Sequence, residues 1–298
     1  MLDYLFRYLQ DSPSWQFITV WLSCLLLAVL ARYVGGYFVD LKVVFYAIPY
    51  FVTLLLYSMF HNIWGFWQEK GFWLLSLGIL LILYSNQFLS FAKILGFEQG
   101  MATYHFARKI GYNLQCTVLY LLVPCLYGWW VGELRETSFY GCTVGKASLY
   151  PYFLMILGML PLLIWASFRE DFLQTYPRYL PTTAEPHWGI SPVWTIAAYE
   201  ISYVLQFLSL EIFFRGFMAF ALARYVGSAS VIVMVSVYAF LHFWKPMPET
   251  LGSIAGGFLL GVFAFYSRSV VGGMIIHVGI ALLMETLAWG QLYRKGKF

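Results

Sequence analysis

Charge is scarce in this sequence. Asp, Glu, Lys and Arg supply 11% of its 298 residues, against about 25% in an ordinary soluble domain. That shortage excludes a chain that clothes itself in polar surface and dissolves in water. Basic runs are lacking too: the net charge of +4 is small and scattered, so no nucleic-acid partner is expected. The four cysteines, Cys24, Cys116, Cys125 and Cys142, have no metal-ligand spacing. The first three sit in apolar stretches and read as small hydrophobes. Met1–Ser14 offers no positively charged leader; with Asp3, Arg7 and Asp11 among apolar residues it reads as an interfacial amphipathic turn. Internal repeats and low-complexity tracts are absent as well.

Apolar sequence is what the chain has in excess: 61% hydrophobic and 21% aromatic residues, with a mean hydropathy of +0.72. Lipid is therefore the expected solvent and partner. Nine stretches approach the roughly 20 apolar residues that a membrane span needs: Trp15–Val34, Val43–Phe60, Phe72–Leu95, Leu114–Val131, Leu149–Ser167, Val193–Ala221, Ala229–Phe243, Thr250–Tyr266 and Val270–Trp289. Lipid gives exposed backbone no hydrogen-bond partner, and these stretches are too long for barrel strands. The expected fold is all-α, a polytopic transmembrane helical bundle of eight or nine spans. The polar connector Arg169–Ile190, with Pro177, Pro181 and Pro186, separates an N-terminal region, 1–190, from C-terminal core helices, 191–291. When loops are assigned alternately to two sides, the side of the C-terminus holds more Lys and Arg, which predicts a cytoplasmic C-terminus.

Ionisable residues within spans cost roughly 2.5–3.5 kcal/mol each on insertion scales and are functional candidates by default. The first five stretches have almost none; the last four hold Glu200, Glu211, Arg215, His242, His277 and Glu285. Glu211 and Arg215, four apart, share a helix face. Glu200, eleven residues before Glu211, falls on the same stripe about 16 Å away. The bland reading of the Glu211/Arg215 pair is mutual neutralisation for insertion. The two histidines on two further helices favour chemistry instead: a Glu and two His can hold and deprotonate a water, with Arg215 fixing the carboxylate. Gly252, Gly256, Gly257 and Gly261 form small-residue steps that bring helices close. Trp129, Trp130, Tyr46 and Tyr50 read as interfacial belt or packing.

These residues resemble the CPBP family of CAAX prenyl endopeptidases and bacteriocin-processing or immunity membrane proteins, whose pattern is an EExxxR helix, an FxxxH helix and a later HxxxN or HxxxB helix. Here the pieces are Leu210-Glu211 to Arg215, followed by Gly216-Phe217; Tyr238 to His242; and His277 to Ala281. The resemblance covers about residues 191–291. It implies an intramembrane peptidase of the glutamic type acting on a lipidated or membrane-bound peptide, with Glu211 as base, Arg215 orienting it, and His242 and His277 positioning water or polarising the carbonyl. Tyr238, Glu249 and Glu285 are supporting candidates. It also implies a plasma or inner membrane location. No cofactor is expected; zinc held by His242 and His277 is the variant. Two positions depart from the pattern: Leu210 replaces the first glutamate, the one that activates water, and Ala281 replaces the asparagine that binds the oxyanion. They give the alternative reading its basis, a family member that has lost catalysis and binds a partner or confers immunity. A transporter built on the same polar seam is a third reading, without the broken half-helices that mark transport sites.

Overall fold

The computed structural model describes residues 2–11, 14–37, 45–136, 138–144 and 148–297, the side chains at 86, 87, 135 and 136 excepted. Among the described residues every regular element is a helix. The longer ones are α1 (Leu2–Asp11), α2 (Trp15–Tyr33), α3 (Ala47–His61), α4 (Lys70–Phe88), α5 (Tyr104–Val131), α6 (Tyr150–Ser167), α7 (Pro192–Glu211), α8 (Ala219–Val226), α9 (Ala229–Leu241), α10 (Met247–Ser267) and α11 (Val271–Arg294). A π-helical stretch, Ile212–Met218, joins α7 to α8. Each of the nine apolar stretches corresponds to a helix, although Val43 and Val44 lie outside the described residues.

Among the described residues six helices are long and apolar enough to cross a membrane: Trp15–Tyr33, Tyr104–Val131, Tyr150–Ser167, Pro192–Val226, Met247–Ser267 and Val271–Arg294. The protein is a multi-pass membrane protein. Ala47–His61, Lys70–Ser85 and Ala229–Leu241 are apolar but shorter. At 1.5 Å per residue, a 13-residue helix reaches about 20 Å, short of a hydrocarbon core of about 30 Å. Residues 229–240 of α9 are all buried, as expected of a helix that is apolar all round and enclosed by protein.

The chain forms two compact units that interleave along the sequence. The first comprises 1–87, 123–147 and 212–270; the second comprises 88–122, 148–211 and 271–298. In the first unit α9 packs on α3 and α10. Ser236 on α9 accepts from Trp21 Nε1 at 2.7 Å and from Thr53 Oγ1 at 2.9 Å, so α2 and α3 are fixed to α9 by polar contacts within apolar surroundings. Gly257 and Gly261 supply the close α9–α10 approach: a Cβ at 261 would press on Met234 and Val231. Gly252 and Gly256 face open space, so only half of the small-residue steps serve packing within the unit.

In the second unit α11 packs against α6 and α7. The 169–190 connector begins with Glu170–Thr175 and later turns through Ala184–Trp188. Lys109 on α5 donates to the Arg178 carbonyl at 2.6 Å. Glu185, 3% exposed, accepts from the Tyr179 hydroxyl and, at 2.9 Å, from the Thr182 N–H. Burial pushes the Glu185 carboxyl up, but hydrogen bonds from Thr195, Tyr179 and the backbone outweigh it and hold the group below the usual carboxylate range. A carboxyl lowered by folding stabilises fully above its unfolded value of about 4.3 and loses that stabilisation as pH falls through the lower folded value. Tryptic cleavage after Arg178 is accordingly expected to accelerate in pre-acidified samples, and E185Q to cleave readily at neutral pH. A connector equally resistant in E185Q would refute this role.

Candidate active site

Two polar side chains meet inside the second unit. Glu211 ends α7 and is fully buried. His277, about two turns into α11, lies with Nδ1 2.8 Å from Glu211 Oε1. The imidazole retains 19% exposure while the carboxylate has none. Phe207, one turn before Glu211 on α7, lies against the imidazole with ring centroids 4.4 Å apart. Gly273, one turn before His277, makes room for the carboxylate: a Cβ there would collide with Glu211 Oε2.

This arrangement has a chemical consequence. A carboxylate on Nδ1 favours the tautomer with the proton at Nδ1 and fixes the ring's orientation. Nε2, on the opposite edge of the ring, is then the basic nitrogen. Sequence reasoning found Glu211 and His277 but missed Phe207 and Gly273. The Gly272-Gly273 pair one turn before the histidine is the signal that could have announced a close approach.

A second polar rung joins the same two helices. Glu285 on α11, 2% exposed, accepts the Arg178 backbone N–H on both oxygens at 3.0 Å, and Glu200 on α7 stands beside it. The seam predicted along α7 therefore exists: Glu211 and Glu200 both turn toward α11. Between the rungs, Phe207 and Tyr203 lie 4.6 Å apart. Tyr203 and Tyr199 stack at 5.5 Å, and Tyr199 and Tyr179 stack at 5.4 Å. Ala281, 5% exposed, is packed among Tyr179, Tyr199 and Tyr203. Glu285 thus belongs to the second rung and the connector.

The remaining motif residues lie in the first unit. Arg215, 1% exposed, sits in the π-helical stretch with its guanidinium 4.2 Å from the Tyr238 ring centroid. His242 Nδ1 is 2.9 Å from the Tyr238 carbonyl oxygen, and their rings are 4.6 Å apart. The His242 carbonyl accepts from Thr250 Oγ1 at 2.7 Å. Tyr238 therefore supports both Arg215 and His242. A desolvated cation–π contact is worth about 2 kcal/mol. Tyr238→Leu is expected to lose about that much in thermal unfolding, while Tyr238→Phe, which keeps the ring, changes little. Equal losses would remove the contact from the account. Glu249, in the first turn of α10, pairs with Lys245 of the preceding turn at 3.2 Å. Among the described residues no three His, Cys, Asp or Glu side chains are grouped to hold a metal ion, so the zinc variant gains no support from the donor set.

A family model described as type II CAAX prenyl endopeptidase, Rce1-like, matches residues 192–283. The match includes Glu211, Arg215, Tyr238, His242, Glu249 and His277 and stops before Glu285. These residues carry an Rce1-like domain, and the resemblance to the CPBP family is borne out over them. At family level the match supports an intramembrane protease. No curated protein and no solved structure matches the chain.

Proposed function

We propose that this protein is an intramembrane endopeptidase resembling the CAAX type, in which Glu211 and His277 together supply the base. The observation that carries the reading is the 2.8 Å contact between His277 Nδ1 and a fully buried carboxylate. In this reading Glu211 orients the imidazole and stabilises its protonated form, while His277 Nε2 takes the proton from water. The water oxygen bonds to the scissile carbonyl carbon. The C–N bond then breaks, and the proton leaves His277 for the departing amine. This assigns the base to His277 and makes Glu211 its partner, a rearrangement that accommodates Leu210 where the family has its first glutamate. Arg215 and His242 enter as the other motif residues, and replacing either is expected to impair cleavage. The substrate class is a lipidated or membrane-bound peptide. The membrane is the plasma or inner membrane, with eight or nine spans and the C-terminus in the cytoplasm.

Ala281 favours a second reading. The position at which the family presents an asparagine is filled by packing against tyrosines. Losing an oxyanion donor costs about 10²–10³ in turnover, so cleavage is expected to be slow. If it is wholly absent, the chain binds a membrane partner or confers immunity. The test is incubation of the purified protein in nanodiscs with prenylated and unprenylated peptides, beside E211A. Slow cleavage lost in E211A supports the peptidase. Cleavage indifferent to E211A overturns it. No cleavage in wild type, with activity created by L210E together with A281N, favours the second reading.

A further inference from the structure

We propose that Tyr33 and Arg32, at the end of α2 and outside the matched residues 192–283, position the second motif histidine, His242. Their effect on turnover rests on the peptidase reading; their effect on the imidazole does not.

The turn that follows α9 is completed by side chains. An α-helix leaves its last carbonyls without intrahelical donors, and Pro246 has no N–H to give the His242 carbonyl four residues before it. The Lys245 N–H closes a tight turn on that carbonyl at 2.9 Å, and Thr250 Oγ1 of α10 donates to it at 2.7 Å. From α2, Arg32 Nε donates to the Phe243 carbonyl at 3.0 Å, and the Tyr33 hydroxyl donates to the Lys245 carbonyl at 2.6 Å. The same hydroxyl lies 2.6 Å from Thr250 Oγ1 and 3.3 Å from the His242 carbonyl oxygen. The Arg32 guanidinium stands 5.2 Å from the Trp244 ring centroid, and the Tyr33 and Phe243 rings are 6.3 Å apart. Arg32 or Tyr33 thus meets each of the four residues 242–245.

The shape of this turn reaches the imidazole through the backbone. The His242 N–H bonds to the Ala239 carbonyl, three residues back, at 3.0 Å, so the helix tightens at its end. His242 Nδ1 then stands 2.9 Å from the Tyr238 carbonyl oxygen. A carbonyl only accepts, so Nδ1 carries a proton and, in the neutral ring, Nε2 is the basic nitrogen. Relaxation of the 242–245 turn would take that acceptor from Nδ1 and leave the tautomer unfixed. A separate bond joins α2 to α9 six residues earlier, where Trp21 Nε1 donates to Ser236 Oγ at 2.7 Å. That bond docks the helix without touching the turn, so docking and positioning can be told apart.

Solid-state nitrogen NMR of histidine-labelled full-length protein in nanodiscs tests the role, beside cleavage of a membrane-bound peptide. His242→Gln assigns the signal by its loss. Wild-type His242 is expected to be protonated at Nδ1. Tyr33→Phe keeps the ring and removes the hydroxyl. It is expected to convert part of the signal to the Nε2-protonated form and to lower kcat roughly tenfold, within the cost of a misplaced reacting group, with KM little changed. Trp21→Phe also loses one hydrogen bond between α2 and α9; it should melt earlier yet keep the wild-type His242 signal and turnover. An unaltered His242 signal in Tyr33→Phe, or the same alteration in Trp21→Phe, would overturn the positioning role. Should Tyr33→Phe fail to fold, Arg32→Leu, which removes the donor to Phe243, decides by the same signal. A wild type that cleaves no peptide would remove the peptidase reading, and the His242 signal alone would then decide the role of Tyr33 and Arg32.

Discussion

Replacing His277 with alanine is expected to lower peptide turnover by about 10²–10⁴-fold, the range that a positioned acid–base group supplies, with part of the loss restored by added imidazole. The expectation follows from exposure. Of the two paired groups, Glu211 is sealed and His277 retains an accessible edge, so His277 is the member that can reach a water. E211Q should fall by a comparable factor for another reason. An amide that donates to Nδ1 reverses the tautomer and leaves a proton on Nε2, where a lone pair is needed. Imidazole should not rescue E211Q. Rescue of E211Q, or H277A turnover within a few-fold of wild type, would return the base role to another group. Size-exclusion profiles in detergent keep this separate from misfolding.

The second large effect is expected at a residue without chemistry of its own. Gly273→Ala places a methyl group against Glu211 Oε2. Glu211 is enclosed, so the carboxylate must shift with respect to His277. A displacement of about 1 Å at a reacting constellation costs up to about 10²-fold, and overpacking adds about 1–3 kcal/mol of destabilisation. Gly290→Ala on the same helix is the control, since its Cβ meets nothing within 4 Å. It should leave turnover intact and stabilise by up to about 1 kcal/mol. Measuring cleavage and thermal unfolding of both variants checks the argument, which fails if G273A cleaves as fast as wild type.

The helices were legible because membrane spans declare themselves by length and hydropathy. The polar connector was legible from its prolines and charges. Motif spacing brought out Glu211 and His277, which meet although they are 66 residues apart. The seam on α7 followed from eleven residues being almost three turns. Other features left no mark of that kind. The π-helical stretch at 212–218 has no hydrophobic period to distinguish it from α-helix, because Arg215 is the one polar side chain among its apolar residues. The enclosure of α9 depends on neighbours remote in sequence, and its 13 residues look like a span cut short. Glu285 resembled a spare for the His277 site because spacing along one helix does not say which neighbour the side chain meets. Its partner from the connector is a backbone N–H, a group that every residue but proline has. Glu249 was named as another supporting carboxylate; its ion pair with Lys245 left no helical-spacing signal, because Lys245 stands before Pro246 and outside the helix.

The claim on which the proposed activity depends is that Glu211 and His277 act as a unit. A double-mutant cycle on single-turnover cleavage of a membrane-bound peptide by wild type, E211Q, H277A and the double variant measures this directly. Groups that work through one another are lost together, so the double variant should be no slower than the slower single variant. Losses that multiply would mean that the two side chains act independently and would contradict the paired base.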